Sequence, residues 1–228
     1  KILNEYKLFY NNEIKKNNLP GLKTYLSERG ITDKEIENFK IGYVPKNCSF
    51  LETLSKKYSE KDILLSGLFY FDEKKKRFIE RFRDRIIFPI NDLNGSTIAF
   101  GGRVISNKNI FAKYINSSET PFFKKGNNLF NLDIARKYFN QGDTIFLVEG
   151  YMDVISLNKF AIMNVVANLG TALTNLQIQL IWRFYKHIII CFDGDKGGHD
   201  AAIRAADKLI ETIKPDFKIS FLFFTKPS

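Results

Sequence analysis

Apolar residues recur at helix-like intervals across residues 2–16, and Pro20-Gly21 interrupts them. Leu22 to Arg29 reads as a helix closed by Gly30. Thr32 and Glu35 have the spacing of a capping box for the next helix, and Ser49 with Glu52 repeats it. Ser59 with Asp62 opens a fourth helix, ending near Gly67. The period then shortens. Leu68-Phe69-Tyr70-Phe71 reads as a short strand, and Lys74-Lys75-Lys76-Arg77 as a hairpin turn. Arg85 to Ile90 is a strand whose Pro89 suits an edge or a terminus. Asp92-Leu93-Asn94-Gly95 is a turn, and the chain returns as a strand from Thr97 to Ile105. Residues 106–128 are largely polar and are expected to wind over the surface.

The second half alternates strand and helix. Thr144 to Val148, Met163 to Ala167, His187 to Phe192 and Lys218 to Phe224 read as strands. Met152 to Phe160, a helix capped by Thr174 and running to about Tyr185, and Ala201 to Ile213 lie between them. Strands apolar on both faces with helices between predict a parallel sheet covered on both sides. The expected fold class is therefore α/β: an N-terminal mixed α+β subdomain over residues 1–126, then a Rossmann-like parallel-sheet subdomain over residues 127–228.

Charge separates the same two parts. Residues 1–126 carry 24 lysines and arginines against 15 acids, a net +9, whereas residues 127–228 are nearly neutral at +1. A basic front half points to a polyanionic partner, although surface lysines in an AT-rich-type composition serve solubility equally well. No apolar run is long enough to span a bilayer, so no membrane partner is expected. The opening residues match neither a signal peptide nor an initiator methionine, which reads as a soluble cytoplasmic fragment. Cys48 and Cys191 lack the spacing of a zinc site and are expected to be free thiols in a reducing compartment.

The candidate chemistry sits at strand ends, where ligands gather in open parallel sheets. Glu149 directly follows one apolar strand, Asp193 follows another, and Asp195 lies two residues on. Asp153 is one helical turn past Glu149. Acids converging on one rim repel one another unless a cation offsets their charge, and hard oxygen donors favour Mg²⁺ or Mn²⁺. Two such ions can clamp the attacking and leaving oxygens in phosphoryl transfer. An Asp-x-Asp after a strand can also simply cap the following helix. Asn168-Leu169-Gly170-Thr171 follows a neighbouring strand and would lie on the same edge or serve as a turn. No Walker A motif is present, which argues against P-loop chemistry.

A second constellation is basic. If residues 81–85 form a strand, Arg81, Arg83 and Arg85 share one face as a comb for phosphates; the alternative is a solvated face paired with Glu80 and Asp84. Arg103, Lys113 and Lys125 add cations, and Tyr114 can stack on a base.

Phe146 to Val154 and Cys191-Phe192-Asp193-Gly194-Asp195 resemble the two TOPRIM signatures of bacterial DnaG-type primases. Tyr25 to Ile31, Arg81 to Ile90, Ala99 to Arg103 and Lys113 to Thr120 resemble that family's front-half segments in order and spacing. The resemblance implies an RNA-primer polymerase on single-stranded DNA, with Glu149, Asp193 and Asp195 as catalytic metal ligands. It implies template or nucleotide contacts from Arg81, Arg83, Arg103, Lys113 and Lys125, with Arg85 as a further candidate. Tyr114, Asn116, Gly150 and Asp153 would shape the site. Ribonucleoside triphosphates would be substrates, and a replicative helicase would join through a C-terminal domain missing here. Zinc is expected only in an N-terminal module, also missing. Lys196, Gly197 and His199 stand where the family more often has Arg, Ala and Arg, and its Asp-Pro-Asp motif would follow Ser228. Other TOPRIM enzymes (nucleases, topoisomerases) and a non-catalytic nucleic-acid module are the rival readings.

Overall fold

The structure is a computed structural model and describes residues 1–16, 20–105, 112–141, 144–170, 172–210 and 213–224. The chain divides into two compact units: Lys1–Ile90 with Thr97–Phe123, and Asn91–Ser96 with Lys124–Ser228.

The first unit begins with α1 (Ile2–Lys16), α2 (Pro20–Glu28) and α3 (Asp33–Phe39). Helix α1 is held by a buried stripe of Ile2, Tyr6, Tyr10 and Ile14, the i, i+4, i+8 series its sequence predicts. Past the end of α2, Gly30 adopts φ 61° and its N–H reaches Ser27 O at 2.8 Å, the expected glycine stop. The capping box of α3 forms as its spacing predicts: Thr32 N–H donates to Glu35 Oε2 at 2.9 Å and Lys34 N–H to Thr32 Oγ1. Then come β1 (Gly42–Val44), α4 (Phe50–Ser55), α5 (Glu60–Leu65), β2 (Phe69–Asp72), β3 (Arg77–Glu80), β4 (Arg85–Asn91), β5 (Thr97–Val104) and β6 (Tyr114–Asn116). Strands β1-β4-β5-β6 form one sheet, and β2 and β3 make a separate hairpin. The core joins α1 to this sheet through Tyr6, Tyr10, Phe50, Phe82 and Phe100. At its centre is a carboxyl. Glu80 accepts hydrogen bonds from Tyr6 (3.0 Å) and Tyr10 (3.1 Å), and Tyr10 also meets Cys48 Sγ.

The second unit contains α6 (Leu132–Ala135), β7 (Thr144–Val148), α7 (Tyr151–Lys159), β8 (Val165–Ala167), α8 (Asn175–Ile181), β9 (His187–Asp193), α9 (Lys196–Ile210) and β10 (Lys218–Phe224). The sheet runs β10-β9-β7-β8 and every pairing is parallel, as the apolar strands predict. Its core combines Ile145, Leu147, Val166, Ile188 and Ile190 with Ile178, Ile181 and Leu209 from the helices. Register places Val148 opposite Ala167, and Phe224 opposite Asp193. The residues that follow β7 and β8, and the last residue of β9, therefore lie along one carboxyl-end rim. No described helix is long and apolar enough to cross a membrane.

Several expectations are corrected. Residues 81–84 are a turn, not a strand: Arg81 N–H bonds Leu68 O, Asp84 N–H bonds Val44 O, and Asp84 sits at φ 56°. Ser49 makes no capping bond, because its ψ of 14° is not extended; the Phe50 N–H donates to Cys48 Sγ instead. Helix α8 stops at Ile181 rather than near Tyr185, where bonds such as Phe184 N–H to Ile181 O tighten the chain into turns. Helix α9 starts five residues earlier than predicted, at Lys196, because Asp195 caps it. Residues 112–128 include β6, with Phe123 fully buried; residues 106–111 of that stretch, and Thr171, lie outside the described residues.

Candidate metal centre

Strand β7 ends at Val148 and α7 begins at Tyr151, so Glu149 and Gly150 form the corner between them. Gly150 is the N-cap residue of α7, and its N–H donates to Asp153 Oδ2 at 2.9 Å. Asp153 thus closes the first turn of α7, where a negative charge also suits the helix dipole. On the neighbouring strand, Asp193 is the exposed last residue of β9. Asp195 Oδ1 accepts the Gly198 N–H at 2.8 Å at the start of α9. A side chain at Gly198 would clash: its Cβ would lie 1.9 Å from Asp193 O.

Glu149, Asp153 and Asp193 line one cleft of about 220 Å³ with Ser156, Cys191 and Phe224. Glu149 holds its proton more tightly than an ordinary glutamate. Partial burial is the main cause, followed by the charges of Asp193 and Asp153; the Asp193 N–H opposes them, and Asp195 adds a smaller push. On its other side Glu149 borders an apolar cavity of about 440 Å³, shared with Asn168, Gly170, Leu173 and Arg204. Among the described residues Asn168 Oδ1 is buried there without a hydrogen-bond partner.

These oxygens fit a hard divalent cation chemically, and mutual repulsion at Glu149 is what such a cation would relieve. Among the described residues, however, no three His, Cys, Asp or Glu side chains group closely enough to hold one ion. Asp153 and Asp195 are turned towards backbone N–H groups at helix starts. The arrangement fits an ion held by Glu149 and Asp193 with water completing its shell, rather than one caged by all four acids.

The basic candidates fall into two kinds. Arg83 and Lys113 are exposed, Arg81 is half-buried against Ser118, and Lys125 is half-buried in a 3₁₀ turn. Arg85 and Arg103 are only 5% exposed. Arg85 Nη1 donates to Lys113 O at 3.3 Å, so here it ties β4 to the segment entering β6. Because residues 81–84 turn, Arg81, Arg83 and Arg85 do not form a one-faced comb. Among the described residues no salt bridge joins them to Glu80 or Asp84, although Arg83 acts on Glu80 and Asp84 on Arg85 through their charges: Glu80 faces the tyrosines, and Asp84 accepts from Tyr43. Asn116 is half-buried in β6 opposite Gly101. Arg103 lies between the rings of Tyr25 and Tyr114, its Cζ 5.0 Å from each centroid, and also hydrogen-bonds Tyr114 Oη. Tyr25 was not among the sequence candidates. Gln177 was also missed: fully buried, it completes the α8 capping box and donates to Lys125 O and Asn128 O.

A parallel sheet with acids at the ends of two neighbouring strands, each followed by a helix, defines a TOPRIM-type unit. The sequence matches the Toprim domain over residues 143–223, and the family described as "DNA primase catalytic core, N-terminal domain" over residues 9–136. The DNA primase of Clostridium acetobutylicum is 45% identical over 193 residues, which are 83% of this chain and 31% of the relative. A crystal structure of a DNA primase domain from Pseudomonas aeruginosa superposes with TM-score 0.91 at 36% identity, covering 100% of this chain and 71% of that one. A DnaG primase catalytic domain bound to single-stranded DNA gives 0.87 at 32%, covering 97% and 69%. The chain belongs to the bacterial DnaG-type DNA primase family, as part of its catalytic core. It spans about a third of the length of the curated relatives it matches. Membership of the Toprim primase family implies use of a divalent metal.

Proposed function

We propose that this chain carries the primer-synthesising core of a primase, with residues 1–126 as its basic subdomain and residues 127–228 as its metal-binding subdomain. The substrates are ribonucleoside triphosphates and a single-stranded DNA template. In each step a ribonucleotide 3′-oxygen bonds to the α-phosphorus of the incoming nucleotide, and pyrophosphate leaves. The observation that carries the reading is the pair Glu149 and Asp193, at the carboxyl ends of adjacent parallel strands and lining one cleft.

Glu149 and Asp193 hold the divalent ion, Mg²⁺ or Mn²⁺, and Asp195 is the third candidate ligand. When bound, the ion supplies charge neutralisation for the triphosphate and activation of the attacking hydroxyl. Asp153, through Gly150, sets the corner that carries Glu149. The exposed Arg83 and Lys113, with Arg81, Arg103 and Lys125, bind phosphates of template or nucleotide. The single-stranded DNA bound by one solved relative supports that part of the reading. The complete protein would act in the cytoplasm at replication forks and meet a replicative helicase through residues outside this chain.

Glu149→Gln in the complete protein is expected to lower primer synthesis on single-stranded DNA about a hundredfold, the loss of a few kcal/mol of charge stabilisation. Synthesis near the parental rate would remove Glu149 from the chemistry. Shortened DNA strands in place of new RNA would identify a nuclease instead.

A further inference from the structure

Arg103 is nearly buried, yet no carboxylate pairs with it among the described residues. Its guanidinium is held instead by two aromatic faces. Tyr25 of α2 supplies one ring and Tyr114 of β6 the other, each 5.0 Å from Cζ. Tyr114 is 38% exposed and forms the outer ring, while Tyr25 is the inner one. Among the described residues Arg103 Nε is buried without a hydrogen-bond partner, while Arg29 also lies over the Tyr25 ring, its Cζ 5.9 Å from the centroid. A buried cation with an unused donor is costly unless an anion eventually meets it. The rings offset part of that cost through cation–π attraction, and they also fix the plane of the guanidinium. That plane decides whether its paired N–H groups can meet a phosphate side-on.

We propose that Tyr25 is a positioning residue for Arg103: its ring forms the inner wall of a two-ring clamp that orients the guanidinium for a phosphate. The inference rests on the reading above, in which Arg103 contacts template or nucleotide. The phosphate belongs either to a phosphodiester of single-stranded DNA or to the triphosphate of a nucleotide.

The test uses the complete protein with Arg103→Ala, Tyr25→Leu, Tyr25→Phe and the double variant Tyr25→Leu/Arg103→Ala. One arm measures fluorescence anisotropy of labelled oligo(dT); the other measures the apparent KM for nucleotide in primer synthesis. Arg103→Ala and Tyr25→Leu are each expected to weaken the same arm about tenfold, the scale of a desolvated cation–π contact. The affected arm identifies the source of the phosphate. Tyr25→Phe keeps the ring and is expected to stay within about twofold of the parent. The double variant should be no weaker than Arg103→Ala if Tyr25 acts on the phosphate through Arg103 rather than through Arg29, which also lies over its ring. Should Tyr25→Leu fail to fold, Tyr25→Met against Tyr25→Phe carries the same contrast. A loss in Arg103→Ala without one in Tyr25→Leu, or additive losses in the double variant, would overturn the clamp alone. No loss in either arm for Arg103→Ala would remove Arg103 from phosphate binding and the clamp with it.

Discussion

Gly198→Ala is expected to reduce primer synthesis by about two orders of magnitude or more, the scale of an ångström-level misplacement of catalytic groups. The added Cβ would fall 1.9 Å from Asp193 O and 2.9 Å from Asp193 C, both backbone atoms without a rotamer to escape into. Either the start of α9 or the Asp193-Gly194-Asp195 corner must move, and the Gly198 N–H to Asp195 bond goes with it. Gly197→Ala is the matched control. Its Cβ would meet only Asp195 Oδ1, at 3.3 Å, the end of a side chain that can shift. In this first turn alanine is the better helix former by at most about 1 kcal/mol, so near-parental synthesis and thermal stability are expected. Equal activities of the two variants would show that the first turn of α9 does not set the acidic corner.

Glu80→Leu is expected to destabilise the chain by about 2–5 kcal/mol, read as a shift in the urea midpoint. The substitution leaves the hydroxyls of Tyr6 and Tyr10 without their acceptor inside the core. Hydrogen exchange should report the largest loss of protection in α1, which carries both tyrosines. Glu80 also sets a pH dependence. Burial pushes its carboxyl above the ordinary value of 4.5, against bonds from Tyr10, Cys48 and Tyr6 and the charge of Arg83. An acid whose folded pKa is raised binds more protons folded than unfolded. Its contribution is therefore most favourable below the unfolded value and declines as pH rises through the raised folded one. The stability of the parent relative to Glu80→Gln should fall across that interval and level off above it. A difference independent of pH would mean that Glu80 titrates as an ordinary glutamate.

The parallel sheet was legible because β7 and β9 are apolar on both faces, which only burial between helix layers explains. The strand-end positions of Glu149 and Asp193 were legible for the same reason: the apolar runs mark where each strand ends. The capping roles of Asp153 and Asp195 were less so, since a helix cap and a metal ligand use the same carboxylate after the same strand. The Arg81–Arg85 alternation misled because Phe82 is buried between two more accessible arginines in a turn as it would be in a strand. Only the left-handed φ of Asp84 separates the two cases, and aspartate tolerates that conformation without a sequence mark. The buried role of Glu80 gave no signal. Its partners Tyr6 and Tyr10 lie 74 and 70 residues away, beyond any local pattern. Tyr25 was hidden likewise, an ordinary aromatic in an amphipathic helix until β5 brings Arg103 to its ring.

Residues 91–96 count with the second unit although the strands on either side of them serve the first. Leu93 packs against the second core, and Asn91 Nδ2 donates to Asp133 Oδ2. The chain therefore passes from one unit to the other three times. Separating the chain between residues 123 and 124 would leave the second core without Leu93 and expose that leucine on the first half. Either half expressed alone should be poorly soluble, because the segment that completes the second core is carried inside the chain of the first.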